Sequence, residues 1–159
     1  MRKEFLTQFR EFGVSKFTVK EVVPAWSEPL DDGHRVALGM FDQAVDAYQA
    51  FELHDAAICL KNFLALEIEI FQRQELIMFE AKYPHAAYHD EEHKRFADDL
   101  AKFLCAADGS EAEIGGMLAY IYCWLGGHIL VDDRMLADFL VARGALQGRP
   151  LLRAGQTLG

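Results

Sequence analysis

The feature that most constrains this chain is a set of four long stretches, within residues 32–140, that carry apolar side chains every three or four positions and contain no proline. That spacing lays apolar groups along one face of an α-helix, whereas a half-buried strand needs alternation, which no segment shows. The first stretch covers roughly 32–51, with Asp31 or Asp32 as N-cap and Val36, Met40, Ala44 and Tyr48 as one face. The second covers roughly 55–80, striped by Leu60, Phe63, Leu64, Phe71 and Met78; Tyr83-Pro84 stops it, because a residue before proline is pushed out of the helical region. The third, roughly 86–107, carries Phe96, Leu100, Phe103 and Leu104 and ends at Asp108-Gly109. The fourth opens on Ser110-Glu-Ala-Glu113, a capping box, and turns Ile114, Met117, Leu118, Ile121 and Leu125 inward.

Short connections make successive helices antiparallel neighbours, so the expected fold is all-α, an up-down-up-down antiparallel four-helix bundle. Ahead of it, Phe5, Leu6, Phe9 and Phe12 mark a short extra helix ended by Gly13. Pro24 and Pro29 interrupt residues 14–30 and make them an N-terminal arm, in which Val22, Val23, Trp26 and Leu30 provide apolar surface to lie across the bundle. Behind it, Met135, Leu136, Phe139 and Leu140 pack back. The expected organisation is therefore arm and helix over 1–30, bundle over 31–145 and tail over 146–159.

Length and composition agree with one domain: 159 residues, 52% hydrophobic, with twelve phenylalanines, bury a sizeable core. A formal charge of −9, from 25 acidic against 16 basic residues, leaves no basic stripe for phosphates, which excludes nucleic acid and an anionic membrane surface as expected partners. Cys59, Cys105 and Cys123 lie in apolar stretches without the spacing of a thiolate metal site and read as buried, reduced thiols. The charged N-terminus is unlike a signal peptide, and the apolar run over 117–131 is broken by Gly126, Gly127 and His128 and reads as too short to cross a bilayer. The expected location is cytoplasmic.

Chemistry is concentrated in histidines. His89 and His93, four residues apart on the third helix, present both rings to one face. His128, near the end of the fourth helix, has small and apolar neighbours, and Asp133 comes five residues later. His34 begins the first helix. In an antiparallel bundle these positions fall in one layer, together with the C-terminal part of the second helix, which is the condition for a metal site in a bundle core. The alternative for the same residues is a solvated rim. His54 and His85 lie away from the layer and read as surface residues.

Four stretches, Leu30-Asp-Asp-Gly-His34, Phe71-Gln-Arg-Gln-Glu-Leu-Ile-Met78, Tyr83-Pro-His-Ala-Ala-Tyr-His-Asp-Glu-Glu-His-Lys-Arg-Phe96 and Trp124-Leu-Gly-Gly-His-Ile-Leu-Val-Asp-Asp133, give the sequence a wider likeness. It resembles the bacterial hemerythrins, non-haem di-iron oxygen-binding bundles, over most of residues 30–140. The resemblance implies metal ligands at His34, His89, His93, His128 and Asp133. It also locates a departure: the family's second-helix His-x-x-x-Glu pair falls on Ile70 and Gln74.

In the family one iron takes the three histidines of the third and fourth helices, and that set survives here, with Asp133 as fourth donor. Three imidazoles and a carboxylate suit ferrous iron, with zinc as the alternative. The other position keeps His34 and a share of Asp133, and Glu67, one turn before Ile70, is the one conceivable repair. The implied function is a hemerythrin-like metal-binding protein with an oxygen-related carrier, sensor or storage role, an incomplete di-iron site holding one metal, iron (one or two ions) or zinc as cofactor, and dioxygen or another small ligand as partner. The competing expectation is a degenerate bundle that lacks metal and serves protein interaction. An enzyme ranks last, since no further nucleophile or acid–base pair accompanies the site.

Overall fold

A computed structural model describes residues 28–106 and 109–144, and every element among them is helical. The expected extra helix over residues 3–12, the arm as far as residue 27, and the tail from residue 145 lie outside the described residues. The elements are α1 (Glu28–Gln49), α2 (Leu53–Glu80), α3 (Ala86–Ala106), α4 (Glu111–His128), a π-helical turn (Ile129–Asp133) and α5 (Arg134–Ala142). The four long helices pack against one another around a shared apolar core, as a helical bundle.

Local chemistry sets the boundaries. α1 starts earlier than the aspartates suggest, with Pro29 in its first turn, where a missing N–H costs no helical hydrogen bond. It stops at Gln49 because Phe51 takes a positive φ of 61°, and the Phe51 and Glu52 amides close back on the carbonyls of Tyr48 and Ala47. α2 ends the same way, with Lys82 at φ 54° and the Tyr83 amide 2.9 Å from the Met78 carbonyl. The chain has therefore left the helix before Pro84 is reached. Ser110 caps α4 as its sequence suggests, accepting from the Glu113 amide.

The core contains Phe41, Leu60, Phe63, Phe96, Leu100, Ile114, Met117, Leu118, Ile121 and Leu125, all buried. The buried face of α1 is rotated from the expected one: Ala37, Leu38, Phe41, Ala44 and Val45 point inward, and Val36 is exposed. Four-residue spacing alone suits both faces; the position of α2 and α4 decides between them. A second apolar cluster joins Met78 and Tyr83 to Leu136, Ala137 and Leu140 of α5, so the segment after the fourth helix does pack back, although Met135 stays exposed.

Two other expectations are corrected. Cys105 and Cys123 are exposed and Cys59 is partly buried, because each lies on a helix flank beside the apolar stripe. The apolar stretch is also longer than its glycines suggested: α4, the π turn and α5 are continuous, and Glu111–Ala142 is long and apolar enough, by length and composition, to cross a membrane. The core helix of a soluble bundle meets the same criterion, and this run buries Ile114, Leu118, Leu125, His128 and Asp133 inside the protein.

Candidate metal centre

At one end of the core the apolar layers give way to a buried polar cluster of His34, Glu67, Gln74, His89, His93, His128 and Asp133, each with at most 3% of its surface exposed. The solvated-rim alternative for these histidines does not hold. His54 and His85 are exposed, as expected.

The helices deliver these groups by simple geometry. His89 and His93 are one turn apart on α3, and their ring centroids stand 4.5 Å apart. His128 and Asp133 are separated by five residues, which in a regular α-helix of 3.6 residues per turn leaves them about 140° apart around the axis. The π turn Ile129–Asp133 removes that disparity, since its wider i→i+5 loop brings the fifth residue back beneath the first. Spacing alone did not reveal this device.

Four ligand atoms, one each from His89, His93, His128 and Asp133, lie within 4.8 Å of one another. His93 Nε2 is 3.0 Å from His128 Nε2, and Asp133 Oδ1 is 3.2 Å from His89 Nε2 and 3.5 Å from His128 Nε2. Ligands held at 2.0–2.1 Å around a tetrahedral ion are about 3.3 Å from one another, so these separations are those of a coordination sphere. His89 Nε2 makes no hydrogen bond despite its closeness to Asp133.

Neighbours fix the rings. Phe71 stacks on His93 with centroids 4.0 Å apart, and Trp124 stacks on His128 at 4.3 Å. Asp132 Oδ2 lies 3.1 Å from His128 Nδ1; that nitrogen donates to it, which leaves the Nε2 lone pair facing the centre. The Glu75 carboxylate stands 3.8 Å from His93 Nδ1, beyond a direct hydrogen bond. Asp132 and Glu75 belong to the quoted motifs, yet their supporting positions are legible only in three dimensions.

Electrostatics hold His93 neutral and the aspartate charged. Burial, with His128 and His89 adding to it, pushes His93 down to about 2. Burial alone would raise Asp133, but His128, His34 and His89 outweigh it and hold the carboxyl well below its ordinary value. A neutral ring at His93 and an ionised carboxylate at Asp133 are the protonation states a cation requires of them.

The α1–α2 side is different. Ile70 packs its aliphatic side chain over Gly33 of α1, where an added Cβ would meet Ile70 Cγ1 at 3.0 Å. Gln74 Nε2 stands 3.1 Å from both His34 Nε2 and Asp133 Oδ1, and His34 Nε2 is 3.0 Å from Asp133 Oδ2. Asp133 thus turns Oδ2 to His34, while Oδ1 faces Gln74 as well as His89 and His128. Glu67 is fully buried, neither carboxylate oxygen has a hydrogen-bond partner, and burial raises it to about 7, with His34 opposing and Asp133 adding to the shift.

No family model matches the chain, and no significant relative is found among curated proteins.

Proposed function

We propose that the protein is a hemerythrin-like metal-binding protein, an up-down-up-down antiparallel bundle whose His89, His93, His128 and Asp133 hold one ion. The observation that supports this reading is the clustering of three buried imidazoles and one buried carboxylate with their ligand atoms within 4.8 Å of one another. Iron is the ion the donors and the sequence resemblance favour, with zinc as the alternative. When bound, ferrous iron supplies an open coordination position and one reducing equivalent to a small ligand such as dioxygen. The chain's own part is to orient the rings, through Phe71, Trp124 and Asp132, and to keep the site dry. We read its role as that of a cytoplasmic carrier, sensor or store rather than an enzyme.

The competing reading, an interaction module without metal, draws on the exposed Leu76 and Phe79 near the end of α2. Metal content decides. The purified chain is expected to carry close to one tightly held ion at the histidine position, and His93→Ala to lose it. Metal content near zero in the unaltered protein, or unchanged by His93→Ala, would overturn the proposal.

A further inference from the structure

Stepping back from His128 along α4 by one helical turn at a time gives Trp124 and then Tyr120. Four-residue spacing puts the three rings in one stripe of the helix, and Phe96 of α3 lies against both Trp124 and Tyr120. The rings are nearly parallel. Trp124 stacks on His128 with centroids 4.3 Å apart and planes at 15°, Phe96 on Trp124 at 4.0 Å and 17°, and Tyr120 on Phe96 at 5.8 Å and 13°. A run of π contacts thus joins a residue of the metal position to the flank of the bundle, where Tyr120 is partly exposed.

Phenylalanines alone would fill this volume as well. The run instead places an indole beside His128 and a phenol at its outer end, the aromatic side chains that give up one electron most readily. The phenol also has somewhere to send its proton: the Tyr120 hydroxyl donates to Asp99 Oδ2 at 3.3 Å, and Lys102 Nζ stands 3.5 Å from Asp99 Oδ1. Burial and the Asp99 carboxylate push the phenol up to about 12, so the proton stays on Tyr120 until an electron leaves. Elsewhere the match is poorer. Phe71, stacked on His93, is a phenyl ring that resists oxidation, and Tyr83 meets His89 only edge-on at 6.5 Å.

We propose that Trp124, Phe96 and Tyr120 form an electron path that draws a one-electron oxidising equivalent out of the metal position to the α3–α4 flank. Its inner end rests on the metal-binding reading of His128, whereas the step between Trp124 and Tyr120 does not. The oxidant is of the class that hydrogen peroxide generates at ferrous iron, and it takes one electron from Trp124. The indole radical cation then takes one electron from Tyr120 and is restored. As Tyr120 loses that electron its O–H bond breaks, the proton passes to the Asp99 carboxylate, and a neutral phenoxyl radical remains. Phe96 is not oxidised; it supplies the contact between indole and phenol. A soluble reductant such as ascorbate returns a hydrogen atom to the phenoxyl, and Asp99 releases its proton to water. The path spares the buried imidazoles, which would otherwise absorb the same equivalent.

Pulse radiolysis of the zinc-loaded full chain follows the outer step with no redox chemistry at the metal. The sequence has two tryptophans, Trp26 and Trp124, so a Trp26→Phe background leaves Trp124 as the indole that the azide radical oxidises, itself becoming azide. The tryptophan radical band is expected to decay as a tyrosyl band rises, at a rate independent of protein concentration. Tyr120→Phe should abolish that rise, and Asp99→Asn or deuterated water should slow it. Unchanged zinc content and helical circular dichroism show that Tyr120→Phe, which removes only a hydroxyl, is folded. The inner step is read by electron paramagnetic resonance on the ferrous-loaded chain, frozen after addition of hydrogen peroxide. A tyrosyl signal is expected, and it should be lost in both Tyr120→Phe and Trp124→Phe. A tyrosyl rise that survives Tyr120→Phe or depends on protein concentration, or a peroxide-generated signal that survives Trp124→Phe, would overturn the path. Failure to hold zinc or iron would count against the metal-binding reading and remove the inner end with it, while the radiolysis of the metal-free chain still decides the outer step.

Discussion

The two halves of the buried cluster meet at Asp133 and are built from different materials. On the α3–α4 side, three imidazoles are clamped by aromatic rings and a supporting carboxylate, and their nitrogens converge at coordination distances. On the α1–α2 side, one imidazole meets an amide, an isoleucine packs over Gly33, and a buried carboxylate has no hydrogen-bond partner. The first half is organised before any ion arrives. The second carries a charge that only a proton or a cation can satisfy. The two sides are equally buried but differently built, and the side lined by three imidazoles has the tighter geometry.

The largest expected effect contrasts the histidines. His93→Ala should weaken zinc binding on the order of a thousandfold, beyond the 10–100-fold typical of a supporting residue, while His34→Ala should weaken it less than about tenfold. Competition with a chromophoric chelator measures both, and equal losses would erase the distinction between the halves. Next in size, Phe71→Ala removes the ring stacked on His93 from a buried position and should cost about 3–5 kcal/mol in denaturant unfolding.

The third prediction concerns pH in the metal-free protein. Glu67 is raised from 4.5 to about 7, so the folded state binds its proton more tightly than the unfolded state. The stability this group contributes is fully present below its ordinary value and is lost as pH rises through about 7. Glu67→Gln lacks that loss. The stability of the variant relative to the unaltered protein should therefore grow by on the order of 3 kcal/mol between pH 4 and pH 8. His93, lowered to about 2, acts in the opposite sense, with stability lost as pH falls below its ordinary value of 6.5, and cancels in the comparison because both proteins contain it. A flat difference would mean that Glu67 is not buried as described. Smallest, Asp132→Asn should lower zinc affinity about tenfold, since the amide still reaches His128 but no longer strengthens the ring as a donor.

Much of this was legible in the residues. Helical spacing and the capping box at Ser110 located the helices, and the histidines, read as one layer of an antiparallel bundle, pointed to a common site that the structure buries. The rest depends on features that spacing does not encode. The inward face of α1 is chosen by its neighbours, which is why Val36 faces solvent and Leu38 does not. The π turn that aligns Asp133 with His128 has no residue signature in Ile129–Asp133. Glu67 could face water or the core on sequence grounds, and only packing puts it in the core. Cys105 and Cys123 show the converse, apolar surroundings in sequence but exposure in space.

The central claim is that the three-imidazole half is a metal position in its own right. Zinc-edge X-ray absorption on the full chain loaded with one equivalent tests it most directly. The account predicts three imidazole nitrogens with oxygen completing a shell at about 2.0–2.1 Å. A shell of oxygens with one imidazole or none would contradict it.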